Sequence, residues 1–264
     1  MRSSLACFIV LPLCLFPSTA FKFRHAGLAT PVESTNSQSA YPMESTNNQS
    51  VYAMHFRYEE VAEYTQATST GEPLLFSEAI AYEGKVYSAP HDADGLLILD
   101  TQTNHVWTKS AAHLLTGPKV TCHWLGITAY NGRIYAPPAT ANEILVYDVG
   151  ADSISGVAIG SLGGGHQGIK WIGIAESGGI LYAAPSDAEV MLAYNLATNA
   201  VTGIPTSHVC NGPGKWMGTA AYSDKVYAAP LDFIVGTCDQ LLIYDTVTRR
   251  ASGLSTAGLA MGLW

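Results

Sequence analysis

Charge is what this sequence has least of: Asp, Glu, Lys and Arg make up only 13% of its 264 residues, with a formal net charge of −8. Its 13 Lys and Arg never cluster, so the chain lacks the basic patch that collects phosphates, which argues against nucleic-acid binding. Beyond the first twenty residues no apolar run is long enough to span a bilayer. Familiar catalytic strings are missing as well: there is no G-x-S-x-G, no H-E-x-x-H and no EF-hand loop. Gly163-Gly164-Gly165-His166-Gln167-Gly168 formally satisfies G-x-G-x-x-G, but Ile169-Lys170-Trp171 after it begins a strand. A dinucleotide fingerprint needs a helix there.

Present instead are 25 Gly, 14 Tyr and 48% hydrophobic residues, a composition that suits packed, turn-rich sheets. Residues 1–20 read as a signal peptide: Arg2, an apolar run from Leu5 to Phe16, then Pro17-Ser18-Thr19-Ala20 with small residues at the cleavage positions. Its removal takes away Cys7 and Cys14 and leaves Cys122, Cys210 and Cys238. Secretion is the reading that follows, with no membrane span after signal removal. Phe21 directly follows the cleavage site, and residues 21–32 carry Lys22, Arg24 and His25 but no acid. This resembles the two-part plastid presequence of algae with secondary plastids, and makes plastid import the alternative.

Residues 21–50 are expected to be disordered. An eleven-residue unit starting at Pro31 and ending at Tyr41 is duplicated from Pro42 to Tyr52. Its Ser, Thr, Asn and Gln cannot bury enough apolar surface to offset the entropy of ordering. Asn48, in Asn48-Gln49-Ser50, is the single N-glycosylation sequon.

Internal periodicity is the strongest signal. Tyr87, Tyr135, Tyr182 and Tyr227 stand 48, 47 and 45 residues apart, each in an aliphatic-Tyr-small-small-Pro string. Eleven residues before each Tyr is a large aromatic, Phe76, Trp124, Trp171 or Trp216. Two residues after the tryptophans come Gly126, Gly173 and Gly218. Each unit divides into four strands. The first two meet at Glu83-Gly84, Asn131-Gly132, Gly178-Gly179 or Ser223-Asp224, pairs suited to two-residue hairpins. Asp100, Asp148, Asn195 and Asp245 follow the third strand, where their side chains can bond backbone N–H groups two residues on. Trp124 is expected on one face with Gly126 and Tyr135, and Leu125, Ile127, Ile134 and Ala136 on the other. Both faces need cover, as in sheets wedged between neighbouring sheets. The fold class that follows is an all-β propeller of four full blades plus a degenerate fifth.

Lys170-Trp171-Ile172-Gly173, Lys215-Trp216-Met217-Gly218, Asn131-Gly132-Arg133-Ile134-Tyr135 and Leu241-Leu242-Ile243-Tyr244-Asp245 resemble a kelch-like or YncE-like repeat family of protists, algae and bacteria. The resemblance covers residues 74–264 and implies the propeller fold. The family carries no agreed activity, so no catalytic residue comes with it. The first unit departs from the pattern, with Phe76 and Glu78 in place of Trp and Gly. The blades are expected at about 74–118, 119–167, 168–214 and 215–256. A half-blade is expected at 51–70, where Tyr52 and Tyr64 keep the twelve-residue Tyr spacing and Thr68 matches Thr103, Thr198 and Thr248. Residues 257–264 start a next repeat, Trp264 falling 48 after Trp216.

In a propeller the loops after the second and fourth strands share one face. Cys210 and Cys238 both belong there in the fourth unit, and a disulfide is expected between them. His91, His113, His123, His166 and His208 map to the same face, with Asp92, Asp94, Glu143, Asp187, Glu189, Asp232 and Asp239. His91, His123, His166, Asp92 and Asp187 are therefore metal candidates. The histidines share no register, however, and polar loop residues are the simpler explanation. Lys170 and Lys215, each before a Trp, suggest caps on the rim. No cofactor and no catalytic residue is assigned. The reading is a non-catalytic secreted module binding a protein or glycan through one face, its oligomeric state open. A metal-dependent propeller hydrolase or lyase using the His/Asp rim, and a structural cell-surface or wall component, are the alternatives.

Overall fold

The computed structural model describes residues 74–116, 121–163, 168–231 and 238–259. Asn48, His166, Asp232, Trp264 and the half-blade expected at 51–70 lie outside them. Sixteen strands form four antiparallel four-stranded sheets, each a simple meander in chain order. Blade 1 holds β1 (Phe76–Tyr82), β2 (Lys85–Pro90), β3 (Gly95–Asp100) and β4 (Val106–Ser110). Blade 2 holds β5 (Thr128–Tyr130), β6 (Arg133–Ala136), β7 (Glu143–Asp148) and β8 (Ser153–Ala158). Blade 3 holds β9 (Trp171–Ser177), β10 (Ile180–Pro185), β11 (Val190–Asn195) and β12 (Val201–Pro205). Blade 4 holds β13 (Trp216–Tyr222), β14 (Lys225–Pro230), β15 (Gln240–Asp245) and β16 (Arg250–Ser255). Among the described residues no helix is long and apolar enough to cross a membrane.

Local chemistry explains the meander. Glu83-Gly84, Asn131-Gly132 and Gly178-Gly179 all take positive φ, the primed-turn geometry whose twist matches the strands. After the third strand, Asp100 Oδ1 accepts from the Gln102 and Thr103 amides, and Asp245 Oδ1 from Val247 and Thr248. Asn195 Oδ1 does the same for Ala197 and Thr198. These bonds hold the Asp245 carboxyl down at about 2, with Lys225 adding to the effect.

The repeat tryptophans Trp124, Trp171 and Trp216 are fully buried, and each donates its indole N–H to the backbone carbonyl that opens the third strand of its own blade. Trp124 reaches Glu143 at 2.9 Å, Trp171 reaches Val190 at 2.8 Å and Trp216 reaches Gln240 at 2.7 Å. Phe76 has no such donor.

The faces differ from the expectation at one point. Trp124 packs with Ile134, Ala136, Leu145 and Tyr147 against blade 1, whereas Tyr135, Ile144 and Val146 face blade 3. Trp124 and Tyr135 therefore lie on opposite faces. A break in the ladder is the cause: Gly126 takes φ +111°, β5 pairs only from Thr128, and Trp124 makes an isolated bridge to Pro138. One residue of slip exchanges the faces.

Besides a smaller cluster round Leu125, Ile169, Ile172 and Leu231, three cores result, one between each pair of successive blades. Each is crossed by a tyrosine pair, Tyr87–Tyr147, Tyr135–Tyr194 and Tyr182–Tyr244, with ring centroids 5.8, 6.4 and 5.5 Å apart. At the centre the inner strands meet backbone to backbone. A Cβ on Gly126 would stand 2.6 Å from the Gly173 Cα, and one on Gly173 would stand 2.7 Å from the Gly218 Cα. Any side chain here would push the blades apart.

Candidate functional site

The loops after β2, β4, β6, β8, β10, β12 and β14 all emerge on one face, because every strand reverses direction. A backbone relay runs round this rim. The His123 amide donates to the His91 carbonyl at 2.7 Å, Lys170 to Ala139 at 3.0 Å and Lys215 to Ser186 at 3.1 Å. The residue before each tryptophan is thus pinned to the preceding blade and buried: His123, Lys170 and Lys215 are all under 6% exposed. Burial lowers the Lys170 ammonium to about 8. It also lowers Lys215, with Asp187 and Glu189 pulling the other way. The Lys215 Nζ donates to the carbonyls of Ser186 and Gly212, both at 2.8 Å, so it does cap the rim.

Asp92 and Asp187 hold the same place in their loops, two residues after the closing proline, and do the same work. Asp92 Oδ1 accepts from the Cys122 amide at 2.8 Å and Asp187 Oδ1 from the Gly214 amide at 2.9 Å. Each carboxylate ties its loop to the entry of the next blade. His91 Nδ1 is 2.9 Å from Asp92 Oδ1, and burial lowers this imidazole against the pull of Asp92.

The metal candidates do not converge. His91 and His123 are buried in the relay, while His113 and His208 are exposed. His208 Nε2 lies 3.0 Å from the Ala251 carbonyl on β16. His91, Asp92 and Cys122 do bring ligand-type atoms within 4.8 Å of one another. The Cys122 sulfur is fully buried. Asp92 is already committed to the Cys122 amide.

Cys210 and Cys238 are bonded, with their Cα atoms 5.7 Å apart. The bridge fastens the loop before β13 to the loop before β15. Directly after Cys210 this loop forms one wall of a cleft of about 340 Å³ between blades 3 and 4. Gly168, Asp187, Glu189, Asn211, Pro213 and Lys215 line it. Gly168 lies so close to the Asp187 carboxylate that a side chain there would occupy the same space. Glu189 and Asn211 are exposed, whereas the Lys215 amine is spent on carbonyls. The cleft therefore offers hydrogen-bond acceptors, an amide and a net negative field to a ligand. Sequence reasoning missed Asn211 and Gly168, which stand outside the repeat register. The signals that pointed to this place were Asp187 and Glu189 in the acidic rim and Lys215 before its Trp.

No protein-family model matches the chain, and no curated protein is similar to it. Solved structures are. A chain of streptogramin B lyase matches with a TM-score of 0.51 at 14% identity, over 68% of this chain and 53% of that one. A chain of a nidogen/laminin complex matches with a TM-score of 0.47 at 10% identity, over 64% of this chain and 57% of that one. The computationally designed Ika4 protein matches with a TM-score of 0.42 at 10% identity. The chain spans little more than half the length of the first two. At such identity the likeness to the lyase is one of fold alone. Together with the four meander sheets it defines the class: an all-β propeller.

Proposed function

We propose that this propeller is a secreted, non-catalytic binding module that takes a protein segment or a glycan on the rim formed by the loops after its second and fourth strands. The observation that supports this reading is the cleft between blades 3 and 4. It has ligand-sized volume and exposed polar groups at Glu189 and Asn211, next to a loop held by the Cys210–Cys238 bridge. The buried Lys215 amine is consumed by backbone carbonyls, and among the described residues no nucleophile, base and orienting group meet there. Rigid rims with a few aimed polar groups recognise; they do not by themselves turn over.

The test is a glycan and peptide array probed with the mature protein, then with Glu189→Gln and Asn211→Ala. Each variant is expected to weaken the captured ligand about tenfold, the size of one lost hydrogen bond in a shielded site. Ligands indifferent to both variants would place recognition elsewhere. Stoichiometric, tightly held metal in the purified protein would replace the reading with a metal-dependent one.

A further inference from the structure

The carboxylate that ties a rim loop to the entry of the next blade is missing at one place. Two residues after the closing prolines the chain reads Asp92, Thr140, Asp187 and Asp232. Asp92 and Asp187 each accept from the amide two residues before the next tryptophan, that of Cys122 or Gly214. Thr140 turns back instead, donating Oγ1 to the Thr121 and Cys122 carbonyls, 2.8 and 2.9 Å away at the entry of its own blade. The amide left over between blades 2 and 3 is that of buried Ile169, and among the described residues no acceptor meets it. Lys170, the next residue, shares its situation. It is only 5% exposed. Its twin Lys215 donates Nζ to two carbonyls at 2.8 Å, and Asp187 and Glu189 act on its charge. Among the described residues the Lys170 Nζ has no acceptor and no acid beside it; burial alone acts on it.

We propose that the rim between blades 2 and 3 binds a carboxylate group, which a ligand supplies where the repeat has Thr140 in place of Asp, and which the Ile169 amide and the Lys170 ammonium hold. An ammonium out of water without a counter-charge is costly, and so is an amide without an acceptor. One carboxylate answers both, because it carries the opposite charge and accepts at two oxygens. Asp187 does this one blade further on, holding the Gly214 amide through Oδ1 while its charge acts on Lys215. At neutral pH Lys170 is still mostly protonated, since burial lowers it only to about 8. Thr140 is half-buried rather than sealed, which leaves its loop open to solvent. The site does not depend on the acidic cleft between blades 3 and 4, where both the carboxylate and the lysine are already engaged.

The test uses acetate as the probe and acetamide as its uncharged twin, each followed by saturation transfer from the full chain. The acetate methyl group is expected to receive about tenfold more transfer than that of acetamide. Lys170→Met keeps the length of the side chain without its charge, and is expected to bring acetate down to the acetamide level. Thr140→Asp builds the repeat carboxylate into the chain itself. It is expected to lose acetate as well, and to lower the unfolding equilibrium constant in urea about tenfold, as one charge-assisted bond regained. N-acetylglycine and glucuronic acid, competed against acetate, tell a peptide carboxyl terminus from an acidic sugar as the source. Displacement by neither would leave an adventitious ion only, and would overturn the proposal. So would equal transfer to acetate and acetamide, or acetate transfer that survives Lys170→Met or Thr140→Asp.

Discussion

At the scale of single residues, the glycines on the innermost strands decide how closely blades approach. Gly173 has φ +80° and a Cβ there would lie 2.7 Å from the Gly218 Cα and from the Thr219 amide nitrogen. Gly218 has φ +70°, but a Cβ there meets nothing within 4 Å. Gly173→Ala therefore combines left-handed strain with a backbone clash, and is expected to cost about 3 kcal/mol. Gly218→Ala carries the conformational term alone, about 1 kcal/mol. Urea unfolding of the two variants reads the difference. Equal losses would show that the blades part freely at the axis. The Trp-x-Gly spacing was legible in the sequence as a repeat, but the reason for the glycine was not: it lies in the backbone of a different blade.

At the scale of elements, turns and strands were legible because their determinants are local. Two-residue hairpins showed in Asn131-Gly132 and Gly178-Gly179, and third-strand turns in Asp100 and Asp245, each satisfied within three residues along the chain. The facing of Trp124 was not legible, because the slip at Gly126 changes which side of the sheet it occupies. The cleft was less legible still, since it joins Gly168, Asp187 and Asn211 from three separate loops. One wall of it is fastened by the Cys210–Cys238 bridge, which closes a loop with a sequence separation of 28. In the chain-entropy account a loop of that length is worth about 3–4 kcal/mol. We propose that the bridge persists in the mature protein. Mass spectrometry with and without reductant is expected to show these two cysteines alkylated only after reduction. Cys210→Ser/Cys238→Ser is expected to unfold earlier by about that amount and to weaken cleft ligands. Two free thiols in the native protein would sink the proposal.

At the scale of the whole molecule, the propeller is a row of blades whose stability is carried between neighbours as much as within sheets. Blades 2 and 3 are each flanked by two sealed cores, while blades 1 and 4 share only one each with described residues. The inner strands of the middle blades are correspondingly dry: four consecutive residues are buried in β7 and five in β10. The outermost strand of blade 4 has five of six residues exposed. Opening an end blade disrupts one interface, and opening a middle blade disrupts two, so local unfolding should begin at the ends. Native-state hydrogen exchange is expected to order the strands accordingly: β7 and β10 slowest, β2 and β14 intermediate, β4 and β16 fastest. Uniform protection of all four blades would mean that they open as one cooperative unit.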